Sequence, residues 1–158
     1  MTIEIGGPVP FTLQPLAVLL AGMVLGARDG AMSMVVYVAL IVVGLPYDAR
    51  GLGTAALMGP TAGFLIGFIP TAFVAGVLVE RGGERVWQRW LAGVAGIIVL
   101  YVCGVYWLKA YGNIHFENGI TWAEAWTAGA APFLVFDLAK ALIAAALTEG
   151  GQAFLRKR

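Results

Sequence analysis

Long apolar runs occupy most of this chain, and they leave few folds open. They lie at 11–27, 31–45, 60–79, 86–108 and 131–147. A helix needs about 20 residues to cross the hydrocarbon core of a bilayer. The third and fourth runs meet that length. The first two are short, and read as a tight helical hairpin around "GARDGA" that does not cross the full thickness. Hydrophobic residues make up 60% of the chain and charged ones 12%, whereas a soluble domain carries about 25% charged residues. The expected fold class is therefore all-α: a polytopic membrane helix bundle of about five transmembrane helices. It forms one domain, with 1–10 as an external segment, 11–148 as the bundle and 149–158 as a cytoplasmic tail.

Local signals refine this outline. Thr2, Ile3 and Ile5 favour an extended segment, and the Gly-Gly-Pro-Val-Pro that follows blocks a helix. Pro15, Pro60 and Pro132 fall at first-turn positions, with Thr12 or Gln14 placed to cap free N–H groups near Pro15. Pro70 falls inside the third run and predicts a kink. Gly22 and Gly26, Gly63 and Gly67, Ala72 and Gly76, and Ala92 and Gly96 have the small-residue spacing that lets membrane helices approach closely. Trp87 and Trp90 at one end of the fourth run, and Tyr106 and Trp107 at the other, read as interfacial belts.

Orientation follows the basic residues. Arg81, Arg85 and Arg89 cluster between two runs, and Arg156, Lys157 and Arg158 close the chain. Placing both groups in the cytoplasm, with Arg28, leaves Arg50 and Lys109 outside. The N-terminus is then external, and so are the loops at 47–59 and 109–130.

Several function classes drop out. A net charge of +1 gives no basic field for nucleic acid. Cys103 has no partner for a disulfide or zinc site, and His115 reads as a loop residue rather than a ligand. No "GxxxxGK[ST]" phosphate loop occurs.

The fifth run carries the chemistry. Asp137 and Lys140 stand three residues apart, hence on one helix face, about 8 Å beyond Pro132. Each charge costs at least about 2.5–3.5 kcal/mol inside a membrane, so such groups face a cavity or each other. One reading is a structural ion pair. The other is a polar ligand site, with a carboxylate for N–H donors and an ammonium for an anionic oxygen. The external loop adds Tyr47 and Arg50, and its end and the start of the next run add Gly59, Thr61 and Gly63. Asp48 and Arg50 read equally well as a solvated loop pair.

These residues resemble a known family. "GGPVPFTLQPLAVLLAGMVLGARDGAM", "GLP", "GPTAGFLIGF", "YVCGVYWL" and "FDLAKA" occur in the order seen in BioY, the biotin-specific substrate-binding (S) component of energy-coupling factor (ECF) transporters. The resemblance runs from Ile3 to about Leu147. It implies a six-helix S-component fold here lacking its first helix, and a biotin site near the outer surface of a bacterial or archaeal cytoplasmic membrane. Asp137 and Lys140 match the family's ligand-binding acid and lysine, and Arg50 its loop arginine. The urea N–H groups of biotin would suit Asp137, its carboxylate Lys140 or Arg50, and its sulfur ring Phe64, Phe11 and Tyr47.

The implied partners are biotin, a transmembrane coupling subunit, two ATPase subunits that hydrolyse the ATP, and lipid. No cofactor is expected, and monomer and homo-oligomer both stay open. Biotin uptake without catalysis is thus the favoured function. The alternatives are an intramembrane enzyme using the Asp/Lys pair, for which Ser33 and Cys103 lack a partner base, and a small ion or proton channel.

Three features depart from the family pattern. The first helix, which carries an Ala-x-x-x-Ala docking pattern, is absent; Ala17 and Ala21 repeat the spacing on another helix. An in-frame upstream extension of roughly 20–30 apolar residues is expected, and the DNA before Met1 would reveal it. Val135 and Phe136 replace a Pro-Gly before the acid, and "YDAR" replaces a run of small residues.

Overall fold

Gly26 decides the path of the N-terminal half. The computed structural model describes residues 2–3 and 9–156, with side chains for 9–151. A two-residue ladder comes first: β1 (Thr2–Ile3) pairs antiparallel with β2 (Phe11–Thr12). Helix α1 (Gln14–Val42) follows, but Gly26 inside it has φ 86° and ψ 176°, a region essentially confined to glycine. In a straight helix Gln14 and Tyr37 would lie about 34 Å apart. Instead the Gln14 amide donates to the Tyr37 hydroxyl at 2.6 Å. The chain therefore folds back at Gly26 into two antiparallel limbs, 14–25 and 27–42.

Small residues let the limbs close. A side chain on Gly30 would meet the Ala21 carbonyl and the Gly22 Cα, each at 2.7 Å. As a continuous helix α1 is long enough to span a membrane. As limbs it measures about 18 and 24 Å, short of the roughly 30 Å core. This is the expected hairpin, with its break at the first residue of "GARDGA" and the second limb starting at Ala27 rather than Ala31.

Helix α2 (Ala62–Gly82) packs against this hairpin and secures its turn. Glu80 accepts a hydrogen bond from the Ala27 N–H at 2.8 Å, so a carboxylate caps the free N–H end of the second limb. Gly22 lies against the Ala72 carbonyl, where a Cβ would collide. The helix continues through Pro70, so the sharp break of the bundle is at Gly26.

Helix α3 (Val86–His115) runs back along α2. It extends past the expected end near Leu108, and makes His115 a terminal helix residue stacked on Tyr111 with ring centroids 4.0 Å apart. Trp90 and Trp107 do more than anchor. Their indole N–H groups donate to the Leu138 and Gly59 carbonyls at 3.2 and 3.0 Å. The expected loop 109–130 holds a further helix, α4 (Trp122–Gly129). Thr121 and Glu124 form a reciprocal capping box at its start, so "TWAE" was a readable signal. Helix α5 (Leu134–Arg156) is bent 48° from α4 and takes in 149–156 of the residues read as a tail; the last two lie outside the described residues.

The five apolar runs are thus the two limbs of α1, then α2, α3 and α5. Helix α5 packs on α3 and α1 and closes the bundle. Leu19, Ile41, Ile97 and Leu100 fill its interior, while Val24, Ile98, Val102 and Leu142 face outward. Outward apolar groups cost nothing in lipid, so close packing and hydrogen bonds between helices hold the bundle together.

Replacing Gly26 with Ala forces a side chain into a glycine-only conformation against Glu80. It should lower stability by about 1–3 kcal/mol. Gly82→Ala, with open space around the new methyl, should shift stability by no more than about 0.5 kcal/mol. Thermal melts in detergent compare the two, and equal melting temperatures would refute the Gly26 hinge.

Candidate functional site

Asp137 sits in the first turn of α5 and Lys140 one turn further on. Both are almost completely buried, at 3% and 5% exposure. Two desolvated ions survive only with close partners and full hydrogen bonding, and each has several. The Lys140 ammonium lies 2.7 Å from Asp137 Oδ1. The Tyr101 hydroxyl of α3 donates to Asp137 Oδ2 at 2.6 Å. Lys140 also donates to the Thr12 carbonyl of β2 at 2.7 Å, and lies over the Phe11 ring at 4.2 Å. Phe11 is held by an edge contact with Phe136 at 5.1 Å. The pair thus joins α3, α5 and the segment that enters α1.

This network lines a narrow cavity of about 70 Å³ at the end of the bundle away from the Gly26 turn. Thr12, Gln14 and Pro15 form one side, and the loop Asp48–Arg50 another. Apolar walls come from Phe64, Leu65 and Phe68 of α2, Leu100 of α3, and Phe133 before α5. The loop is shaped by Asp48, whose carboxylate accepts from the Arg50 and Gly53 N–H groups at 3.0 and 2.8 Å. A 3₁₀ turn, Gly53–Met58, then leads to α2. The hairpin serves the site directly: Gln14 holds Tyr37, and the Tyr37 hydroxyl donates to the Tyr47 carbonyl at 2.9 Å.

The structure brings Asp137, Lys140, Arg50, Thr61 and Phe64 to the lining of one cavity. Phe11 reaches the site through Lys140. Tyr47, Gly59 and Gly63 stand outside the lining. Tyr47 has an exposed ring and contributes its backbone carbonyl to Tyr37. Gly59 accepts from Trp107, and Gly63 allows α3 to approach at Trp107 and Cys103. Both glycines thus have a packing role between α2 and α3.

Sequence reasoning gave Gln14 only a capping role, left Asp48 open as a loop residue, and passed over Phe68 and Phe133. Tyr101, inside the fourth apolar run, carries no local mark of a role in the site. Its bond to Asp137 spans 36 residues, and no local pattern announces such a pairing.

Chemically, the site offers acceptor positions on an ionised carboxylate beside an ammonium, within an apolar slot. Among the described residues no three His, Cys, Asp or Glu lie together to hold a metal ion.

The BioY family model matches residues 1–157. The chain belongs to the BioY family. It is 43% identical over 148 residues to the biotin transporter BioY of Rhodobacter capsulatus, covering 89% of this chain and 77% of that protein. It is also 43% identical over 140 residues to the biotin transporter BioY of Thermotoga maritima, covering 88% and 78%. A solved structure described as the S-component for biotin from an ECF-type ABC transporter is similar to the fold, with a TM-score of 0.82 at 26% identity. That likeness covers 99% of this chain and 81% of the other.

Proposed function

We propose that this chain binds biotin and serves as the S component of an ECF transporter. The observation that carries the reading is the buried Asp137–Lys140 pair opening on an apolar cavity, in a chain whose relatives are named biotin transporters. Biotin presents urea N–H donors, a carboxylate and an apolar sulfur ring. The Asp137 carboxylate takes an N–H group, while Lys140 or Arg50 meets the ligand carboxylate. Phe64, Phe68 and Phe133 flank the ring. Binding exchanges part of an internal ion pair for ligand bonds, so the charges stay paired throughout.

The chain supplies binding, not catalysis. ATP hydrolysis falls to two ATPase subunits, coupled through a separate membrane subunit. The site faces outward, with Arg81, Arg85 and Arg89 and the C-terminus in the cytoplasm, because basic residues concentrate at that end. The Gly26 turn and Glu80 then lie on the inner side.

Titration calorimetry in detergent should show biotin binding at nanomolar to micromolar strength. Asp137→Asn should weaken it by about 1.5–3 kcal/mol, the scale of a hydrogen bond to a charged group. Parent-like affinity in a folded Asp137→Asn protein would remove Asp137 from the site. In cells, uptake of labelled biotin should require both the coupling subunit and hydrolysis-competent ATPases; uptake unchanged without them would reject the ECF assignment.

The orientation predicts that a cysteine at position 118, in a Cys103-free background, is labelled from outside intact cells while one at position 85 is not. The reverse pattern would invert the topology.

A further inference from the structure

Asp137 receives two side-chain hydrogen bonds, and the two donors differ in kind. Lys140 stands on the same helix, so its bond to Asp137 does not by itself tie that carboxylate to a second helix. Its ammonium has three N–H donors and already divides them between Asp137 Oδ1 and the Thr12 carbonyl, beside the Phe11 ring. It is free to exchange partners when an anionic group arrives. Tyr101 stands on α3 and has one O–H, committed to Asp137 Oδ2. Among the described residues, that bond is the one tying the Asp137 side chain to another helix.

The ring of Tyr101 is itself held from behind. It packs edge-on against Trp126 of α4, with centroids 6.3 Å apart and planes at 76°. One side of Tyr101 lines the site cavity. Another lines an apolar outer groove of about 430 Å³, shared with Val105, Trp126, Leu134 and Leu138. Tyr101 is therefore a partition, apolar toward the groove and a hydrogen-bond donor toward the site, with 6% exposure.

We infer that Tyr101 is a positioning residue for ligand recognition: its hydroxyl, braced by Trp126, holds the Asp137 carboxylate so that its remaining acceptor positions face the urea N–H groups of biotin. This rests on the biotin reading of the site. Tyr101 acts through Asp137 and needs no ligand contact of its own. Without the hydroxyl, the carboxylate is free to turn toward Lys140 with both oxygens, and the ligand then competes with the internal pair. Tyr101→Phe keeps the ring, the Trp126 contact and the wall of the groove, so it removes the hydroxyl alone.

The test is a double-mutant cycle on biotin dissociation constants, measured by calorimetry in detergent for the parent, Tyr101→Phe, Asp137→Leu and the double variant. Tyr101→Phe should weaken binding about tenfold in the parent and less than about twofold in Asp137→Leu, where no acceptor remains to be aimed. If Asp137→Leu does not fold, the cycle is run from the ligand side. A tetrahydrothiophene-valerate lacking the urea should then bind Tyr101→Phe and parent within about twofold, while biotin keeps its tenfold difference.

An equal loss in both backgrounds, or toward both ligands, would assign Tyr101 to packing or to a direct contact and overturn the inference. Parent-like biotin affinity in Tyr101→Phe would overturn it as well. A parent that binds no biotin overturns the functional reading, and this inference with it.

Discussion

Two ions buried on one face of α5 set the terms for the rest of this structure. Removing a carboxylate and an ammonium from water costs several kcal/mol each. That cost is offset only because Asp137 and Lys140 meet at 2.7 Å and find further partners in Tyr101 and Thr12. Those partners come from distant parts of the chain. Tyr101 requires α3 to lie along α5, and Thr12 requires the entry to α1 to reach the same end. The pair thus constrains three elements at once. As a mere structural pair it would be a poor use of two desolvated groups, since apolar side chains pack as well. Its place on a cavity wall gives it a second use.

The Gly26 hinge makes this meeting possible. By reversing α1 it returns the second limb to the end from which the first began. Gln14, Tyr37 and the Tyr47 carbonyl then connect in a single chain of hydrogen bonds, which places the Asp48–Arg50 loop over the cavity. The hinge is secured at the opposite end of the molecule by Glu80 on the Ala27 N–H and by the close approach of Gly22 and Gly76 to their neighbours. One backbone conformation thus links the far turn to the shape of the site.

Features governed by local rules were legible in the sequence. The apolar runs, the short hairpin, the extended Thr2–Ile3 and the i, i+3 pair all follow from local pattern, and each has its counterpart in the structure; Ile5 and the Gly-Gly-Pro after it lie outside the described residues. Helix α4 was legible too, through the Thr121–Glu124 capping box, but the polar residues around it suggested a loop. What remained hidden depends on tertiary approach. Nothing near Tyr101 marks it as the partner of a residue on the last helix. Nothing near Gly59 marks its carbonyl as the acceptor of the Trp107 N–H. Small residues in a membrane chain signal close approach without saying to what.

The account stands on one claim: the Asp137–Lys140 pair is a ligand site whose internal bonds yield to biotin. A structure of the protein crystallised with biotin, resolved well enough to place side chains, tests it most directly. The account predicts biotin in the cavity between Phe64 and Phe133, a urea nitrogen within hydrogen-bond distance of Asp137, and Tyr101 still bonded to Oδ2. Biotin bound elsewhere, or an unchanged Asp137–Lys140–Thr12 network with the ligand out of reach of both charges, would contradict it.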